Sequence, residues 1–297
     1  ILDDPLELGV TEVVFIVGHL RDTMREWIEA EYPRIKGQFV VQEVQDGTAG
    51  AIALAEPHVD EDVLIIFADA VLEVDYGLTK TLGKECAAIL WAKQVEDYQR
   101  FGVIVTNDDG TMKEIVEKPS EPISKLANIG LYYIRDHELL FEGVRHTLAA
   151  DPSPSGEYYL TDAFQYMVDK GARLMTAPVE GWWDAGKPET LIETNGHLLE
   201  TGRGLIDVEA SVEEAQIEEP VRIEAGAVVR GGKIGPNVTV EAGATVEESV
   251  VRNSVVGADA RLMRVRIHDS LVGDGATVSD FSGSLRVTDH STLIGQR

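Results

Sequence analysis

Val63-Leu64-Ile65-Ile66-Phe67-Ala68-Asp69 is an unbroken apolar run that ends on a carboxylate. A strand without polar alternation is one buried on both faces, as in the interior of an open α/β sheet. In such sheets ligands sit outside the carboxyl ends of the strands, so Asp69 stands where a ligand would be met. Upstream, Val40-Val41-Gln42-Glu43-Val44-Gln45-Asp46 runs into Gly47-Thr48-Ala49-Gly50-Ala51, a β-branched segment followed by a turn that opens a helix. By the same rule Gln42 and Gly47 point at that crevice.

Outward from these segments, residues 1–204 alternate strand-like and helix-like stretches. Strands are expected at 12–17, ended by Gly18, and at 39–44, 63–67, 87–92, 102–106 and 129–134. Helices are expected at 20–32, with Met24, Trp27 and Ile28 on one side, and at 48–55, 137–148, 159–168 and 188–199. Alternation of this kind predicts an α/β fold with a doubly wound, mostly parallel sheet. After Gly202-Arg203-Gly204 the pattern changes, and 205–297 form a second domain. Ile234, Val240 and Val246 fall six apart, as do Val256 and Leu262, and Val272 and Val278. Gly235, Gly257 and Gly273 each follow one of them. A six-residue period with one inward aliphatic per short strand predicts a parallel β-helix.

The chain of 297 residues carries 52 acidic and 26 basic side chains, a formal net charge of -26. Ten of the basic residues are Lys and sixteen Arg. Spread over the whole length, the acidic residues read as a solvated surface. Acidic excess with scarce Lys resembles proteins of salt-accumulating organisms, in which screening over a few ångströms makes dense negative charge tolerable. The same charge argues against nucleic acid as a partner, since no basic stripe is available to displace counterions. Cys86 is the only cysteine, so no disulfide forms within the chain, and a reducing cytoplasm is the expected location. No apolar run reaches membrane-spanning length, so no membrane partner is expected.

Two further segments, Glu117-Lys118-Pro119 and Trp183-Asp184-Ala185-Gly186, supply a cation and a second lone carboxylate. With the segments around Gln42 and Asp69, they resemble the sugar-1-phosphate nucleotidyltransferase family, in order and approximate spacing, as far as about Glu200. The resemblance implies a doubly wound catalytic domain followed by a left-handed hexapeptide β-helix. It implies transfer of a nucleotidyl group from a nucleoside triphosphate to a hexose-1-phosphate, releasing pyrophosphate. A phosphate monoester is largely dianionic at neutral pH, its second pKa being about 6, so it can attack without a general base. The obstacle is the approach of two polyanions, and catalysis there is positioning plus neutralisation by cations.

By resemblance Asp69 and Asp184 are paired ligands of Mg²⁺, an ion that takes one or two carboxylates and completes its shell with phosphate oxygens and water. Ala68 stands where the family more often has Gly. The resemblance also implies that Gln42 and Gly47 contact the nucleotide base and that Thr48 beside them belongs to the same substrate-binding turn. The Gln42 amide can read a pyrimidine's imide edge, which tilts the base toward uracil or thymine. Glu117 would bond sugar hydroxyls, Lys118 would neutralise the sugar phosphate, and Gly102 and Asn128 match further sugar-contact positions. Catalytic roles are thus expected for Asp69, Lys118 and Asp184.

The family also opens with a strand and a Gly-x-Gly-Thr-Arg loop that cradles the triphosphate, a natural anion nest. No such sequence occurs here, and the chain starts at Ile1, as a truncated chain would. Ser155, in Ser155-Gly156-Glu157-Tyr158-Tyr159-Leu160-Thr161-Asp162, stands where the family often has an Arg that shares the sugar phosphate. These departures keep open a non-catalytic regulatory or assembly paralogue that binds sugar nucleotide. Gly47-Thr48-Ala49-Gly50 also resembles the GTP-dependent guanylyltransferases of mannose-1-phosphate. His268 is expected to be a surface residue rather than an acyl-transfer base. The β-helix is expected to provide a homo-oligomer contact, since repeat stacks leave open ends.

Overall fold

The computed structural model describes residues 1–295. They form two compact units, one of Ile1–Ala68 with Leu72–Trp182 and the other of Asp69–Val71 with the chain from Trp183 onward.

In the first unit, helix α1 (Asp3–Glu7) leads to strand β1 (Glu12–Val17), helix α2 (Arg21–Glu31) and strand β2 (Lys36–Val41). β1 and β2 are parallel, in register from Glu12↔Lys36 to Val17↔Val41. α2 supplies the crossover that parallel strands need, and Phe15 stacks on Phe39 at 4.9 Å. No other described strand pairs with β1. The apolar side expected on α2 is only partly used: Ile28 is buried, whereas Met24 is exposed and Trp27 is 54% exposed. Among the described residues α2 packs on β2, which is too narrow a surface to cover all three side chains.

Next come α3 (Thr48–Ala53), β3 (Val63–Ile66), β4 (Ala70–Glu73), α4 (Leu78–Thr81), β5 (Cys86–Gln94), β6 (Gly102–Thr106), β7 (Met112–Glu117) and β8 (Leu126–Ile134). Helices α5 (His137–Ala149) and α6 (Leu160–Asp169) precede β9 (Arg173–Pro178) and β10 (Gly181–Asp184). β8 is the hub of a six-stranded sheet. Along one edge it pairs with β6 and β3, along the other with β5, all antiparallel. β5 and β9 run parallel. β3, β5 and β9 therefore point one way, as an α/β core requires, and β8 is the reversed strand among them. No α-helix lies between β5 and β8, and strands joined without a helical crossover pair antiparallel.

The apolar spacing of α5 and α6 explains where the core sits. Leu140, Phe141 and Val144 are buried from α5, and Leu160, Ala163, Phe164 and Met167 from α6, against Leu90, Tyr132 and Ile134 of the sheet. Asp136 caps α5 by accepting a hydrogen bond from the Leu139 N–H at 3.1 Å.

In the second unit, helix α7 (Pro188–Leu198) is followed by thirteen short strands, β11 to β23, between Leu205 and Ile294. They pair in parallel, coil upon coil. Val221 of β14 (Val221–Ile223) faces Val238 of β16 (Val238–Val240), seventeen residues on. Thr245 of β17 (Thr245–Val256) faces Arg261 of β18 (Arg261–Met263), sixteen on. All seven residues of the six-residue pattern are buried in one narrow core. Ala227, Ala244, Ala260 and Ala276 form a fully buried column beside the corners. The corners themselves need left-handed backbone, supplied by Gly226, Gly243, Asp259, Gly275 and His290. α7 lies along the coils through Thr239 Oγ1, which donates to Asn195 Oδ1 at 2.6 Å, and an Arg286–Glu189 ion pair at 2.7 Å.

Candidate active site

Three adjacent strands of the first unit bring the expected sugar-contact residues together. Gly102 opens β6 and pairs directly with Glu117, the last residue of β7. Asn128 sits on β8, which pairs with β6. A Cβ placed on Gly102 would stand 2.7 Å from Glu117 Oε2, 2.8 Å from Thr161 Cγ2 and 3.6 Å from Asn128 Nδ2. A Cβ there would push Glu117 and Thr161 aside, and three side chains converge on the position. Asn128 Oδ1 accepts from the Tyr132 hydroxyl at 2.6 Å and the Gly130 N–H at 3.3 Å, with the amide nitrogen turned to Gly102.

Glu117 is 17% exposed at its side chain. Burial pushes its carboxyl above the ordinary range, aided by Asp162 and Glu157 and opposed by Lys118 and by the Thr161 hydroxyl, which donates to Oε2 at 3.2 Å. Lys118 adopts φ +45°, a left-handed conformation costly for a residue with a side chain. Its N–H donates to Phe101 O at 2.9 Å. The ammonium lies 4.0 Å from Glu117 Oε1 and 4.9 Å from the centre of the Tyr159 ring.

The turn from Gln42 to Ala49, expected to meet the nucleotide, is clasped by the segment before α6. Tyr158 N–H donates to Asp46 O at 2.7 Å, and Ala49 N–H donates to Tyr158 O at 3.0 Å. Gly47 sits at φ +108°, and a Cβ there would lie 2.4 Å from Tyr158 O. Glycine is thus demanded by the clasp itself. Thr48 Oγ1 accepts from the Leu160 N–H at 2.9 Å, capping α6. Gln42 follows directly after β2, which ends three residues before the strand end expected from sequence. Its Nε2 donates to Asp46 Oδ1 at 3.0 Å and to Gly47 O at 3.1 Å. With both amide protons engaged, the oxygen is what Gln42 offers a ligand.

In the second unit, Asp69 and Asp184 come together around Gly186. The Cβ position of that glycine lies 3.1 Å from Asp184 Oδ1 and 3.4 Å from Asp69 Oδ2. The Gly186 N–H donates to Asp184 Oδ1 at 2.8 Å, the Ala185 N–H to Asp69 O at 2.7 Å, and the Thr194 hydroxyl to Asp184 O at 2.9 Å. No group of three or more metal-ligating side chains occurs among the described residues. Two hard carboxylates suit Mg²⁺, which leaves the remaining positions to phosphate and water.

The sequence pattern marks the segment of Thr161, Tyr159 and Glu157 but does not distinguish these three within it. Their roles are tertiary: Thr161 reaches β7, and Tyr159 reaches Lys118. Ser155 takes part in a hydroxyl network instead of supplying a cation. Its Oγ lies 2.8 Å from the Tyr159 hydroxyl and donates to Glu157 Oε2 at 3.0 Å. His268 is exposed and bonded through Nδ1 to Asp269 at 2.8 Å.

The family model described as "Nucleotidyl transferase" matches residues 2–201. A low-salt glycan biosynthesis nucleotidyltransferase, Agl11 of Haloferax volcanii, is 32% identical over 93% of this chain and 83% of its own length. A glucose-1-phosphate thymidylyltransferase of Streptomyces antibioticus is 29% identical, over 91% of this chain and 81% of its own length. A UTP–glucose-1-phosphate uridylyltransferase of Haloferax volcanii, AglF, is 29% identical over 67% and 82%. A crystal structure of UDP-glucose pyrophosphorylase complexed with UDP-glucose shares the fold over 67% of this chain and 85% of its own, with a TM-score of 0.59 and 22% identity.

Proposed function

Since this chain belongs to the nucleotidyl transferase family, we propose that it transfers a nucleotidyl group from UTP or dTTP to a hexose-1-phosphate, giving a nucleoside-diphosphate sugar and pyrophosphate. The observation that carries the reading is the convergence of Glu117, Asn128 and Thr161 on Gly102, with the Lys118 ammonium beside them. A carboxylate and a carboxamide at one point suit sugar hydroxyls, and a half-exposed ammonium suits the phosphate that carries them.

In this reading Glu117 accepts hydrogen bonds from the sugar and Asn128 donates its amide. Lys118 neutralises the sugar phosphate as its oxygen approaches the α-phosphorus. The Gln42 oxygen accepts from a ring N–H, which uracil, thymine and guanine present and adenine and cytosine do not. Gly47 and Thr48 keep the nucleotide-side turn closed. Asp69 and Asp184 would hold Mg²⁺, which when bound neutralises charge on the phosphates. The lone buried Cys86 fits a cytoplasmic setting, and the β-solenoid supplies a contact for a homo-oligomer.

Pyrophosphate release from glucose-1-phosphate, with UTP, dTTP, GTP or ATP offered in turn in concentrated KCl with Mg²⁺, tests this. The chain of 297 residues is assayed beside one extended upstream. Turnover by either form with UTP or dTTP, lost in Asp69→Asn, supports the reading; preference for GTP moves the substrate to the mannose-1-phosphate class. The Ser155 network favours one second reading, a non-catalytic subunit. That reading takes over if neither form turns over while sugar nucleotide still binds and Asp69→Asn binds it equally.

A further inference from the structure

Lys118 is a flexible, strongly hydrated point charge, and a surface lysine ordinarily spreads over many rotamers. Here its backbone is fixed by the left-handed φ and by the hydrogen bond to Phe101 O, but its side chain is half exposed. The ammonium meets two groups, Glu117 Oε1 at 4.0 Å and the face of the Tyr159 ring, whose centre is 4.9 Å from Nζ. That ring is held through its hydroxyl and through the backbone on either side of it. Its hydroxyl donates to Glu157 Oε2 at 3.0 Å and lies 2.8 Å from Ser155 Oγ. Its neighbours in the chain are pinned to the nucleotide-side turn, Tyr158 through Asp46 and Ala49, and Leu160 through Thr48.

We infer that Tyr159 is the positioning residue for Lys118: its ring face holds the ammonium at the sugar-phosphate end of the site. This rests on the reading of Lys118 as the phosphate's partner. The physical logic is entropic and electrostatic together. A ring face attracts the cation without neutralising it, so this contact takes none of the charge from the phosphate. A carboxylate in the same place would compete with the phosphate for that charge. The nearest carboxylate to the ammonium is that of Glu117, 4.0 Å away, while Glu157 is occupied by the hydroxyls of Tyr159 and Ser155.

Wild-type protein, Tyr159→Phe and Tyr159→Leu are compared for KM of glucose-1-phosphate, KM of the triphosphate and Tm. The Lys118 ε-CH₂ resonances are followed by NMR. The leucine variant is expected to raise the sugar-phosphate KM about threefold to fivefold, the worth of an exposed cation–π contact, with the triphosphate KM unchanged. Phenylalanine, which keeps the ring, is expected to stay within about twofold of wild type on the same scale. The Lys118 resonances should be shifted upfield by the ring current in wild type and Phe, and not in Leu. An unchanged or lowered sugar-phosphate KM in Leu, equal rises for both substrates, or no ring-current shift in wild type would overturn the assignment. A wild-type protein that neither turns over nor binds any sugar phosphate would sink the functional reading and this inference with it, whereas a bound sugar phosphate indifferent to Leu sinks the inference alone.

Discussion

At the scale of the residue, Glu117 is a largely buried carboxylate whose burial bears on stability. Burial raises its folded pKa above that of the unfolded chain. A carboxyl raised in this way favours the folded state least above its folded pKa, where the unfolded chain ionises freely and the folded one resists. Below the unfolded value of 4.5 the penalty vanishes, and it grows as pH climbs from there through the folded pKa. Glu117→Gln should therefore raise Tm at neutral pH and leave it unchanged well below the ordinary carboxylate range, while sugar-phosphate binding measured by calorimetry is lost. Gly47 makes the opposite point. Gly47→Ala puts a Cβ 2.4 Å from Tyr158 O at φ +108°, and should cost about 2–4 kcal/mol in denaturant titration. The position of Gly47 was legible as a turn before a helix, but its cause was not. The clash is with a residue more than a hundred positions away, and no local pattern reports it. Thr161 and Tyr159 stayed hidden for the same reason, whereas Asp69 was legible because an apolar run ending in a carboxylate is a local fact.

At the scale of the element, the six-residue period was legible because each short strand turns one aliphatic inward and the repeat does so at fixed intervals. A paired test follows from two neighbours on one strand. Leu262 is 1% exposed and Met263 is 41% exposed. Leu262→Ala should cost about 2–5 kcal/mol, while Met263→Ala should stay within about 0.5 kcal/mol of wild type, both read from the solenoid's unfolding transition. A reversal would mean the strand faces the other way. The reversed β8 was not legible: alternation of strand and helix predicts parallel neighbours, and only the pairing itself reveals that β6, β7 and β8 are joined without a crossover helix. That reversal is also what sets Asn128 beside Gly102. The exposed Trp27 was unreadable too, since periodicity says which face is apolar and nothing about how much surface exists to cover it.

At the scale of the whole molecule, charge dominates. A formal -26 on 297 residues repels itself in dilute buffer, and salt shortens the reach of that repulsion from about 10 Å at 0.1 M to about 3 Å at 1 M. Thermal unfolding should accordingly shift upward with KCl between about 0.1 M and 2 M, by more than the same salt shifts a near-neutral protein of equal size. A flat response would mean that the acidic side chains are already compensated by their neighbours. The solenoid, finally, should not wear evenly. Each coil leans only on the ones before and after it, so a turn that also carries α7 is guarded on a further side. Amide protons of Val238–Val240, against which α7 packs, should exchange more slowly than those of Arg261–Met263. The helix would act as a splint, leaving the coils beneath it among the last to let go.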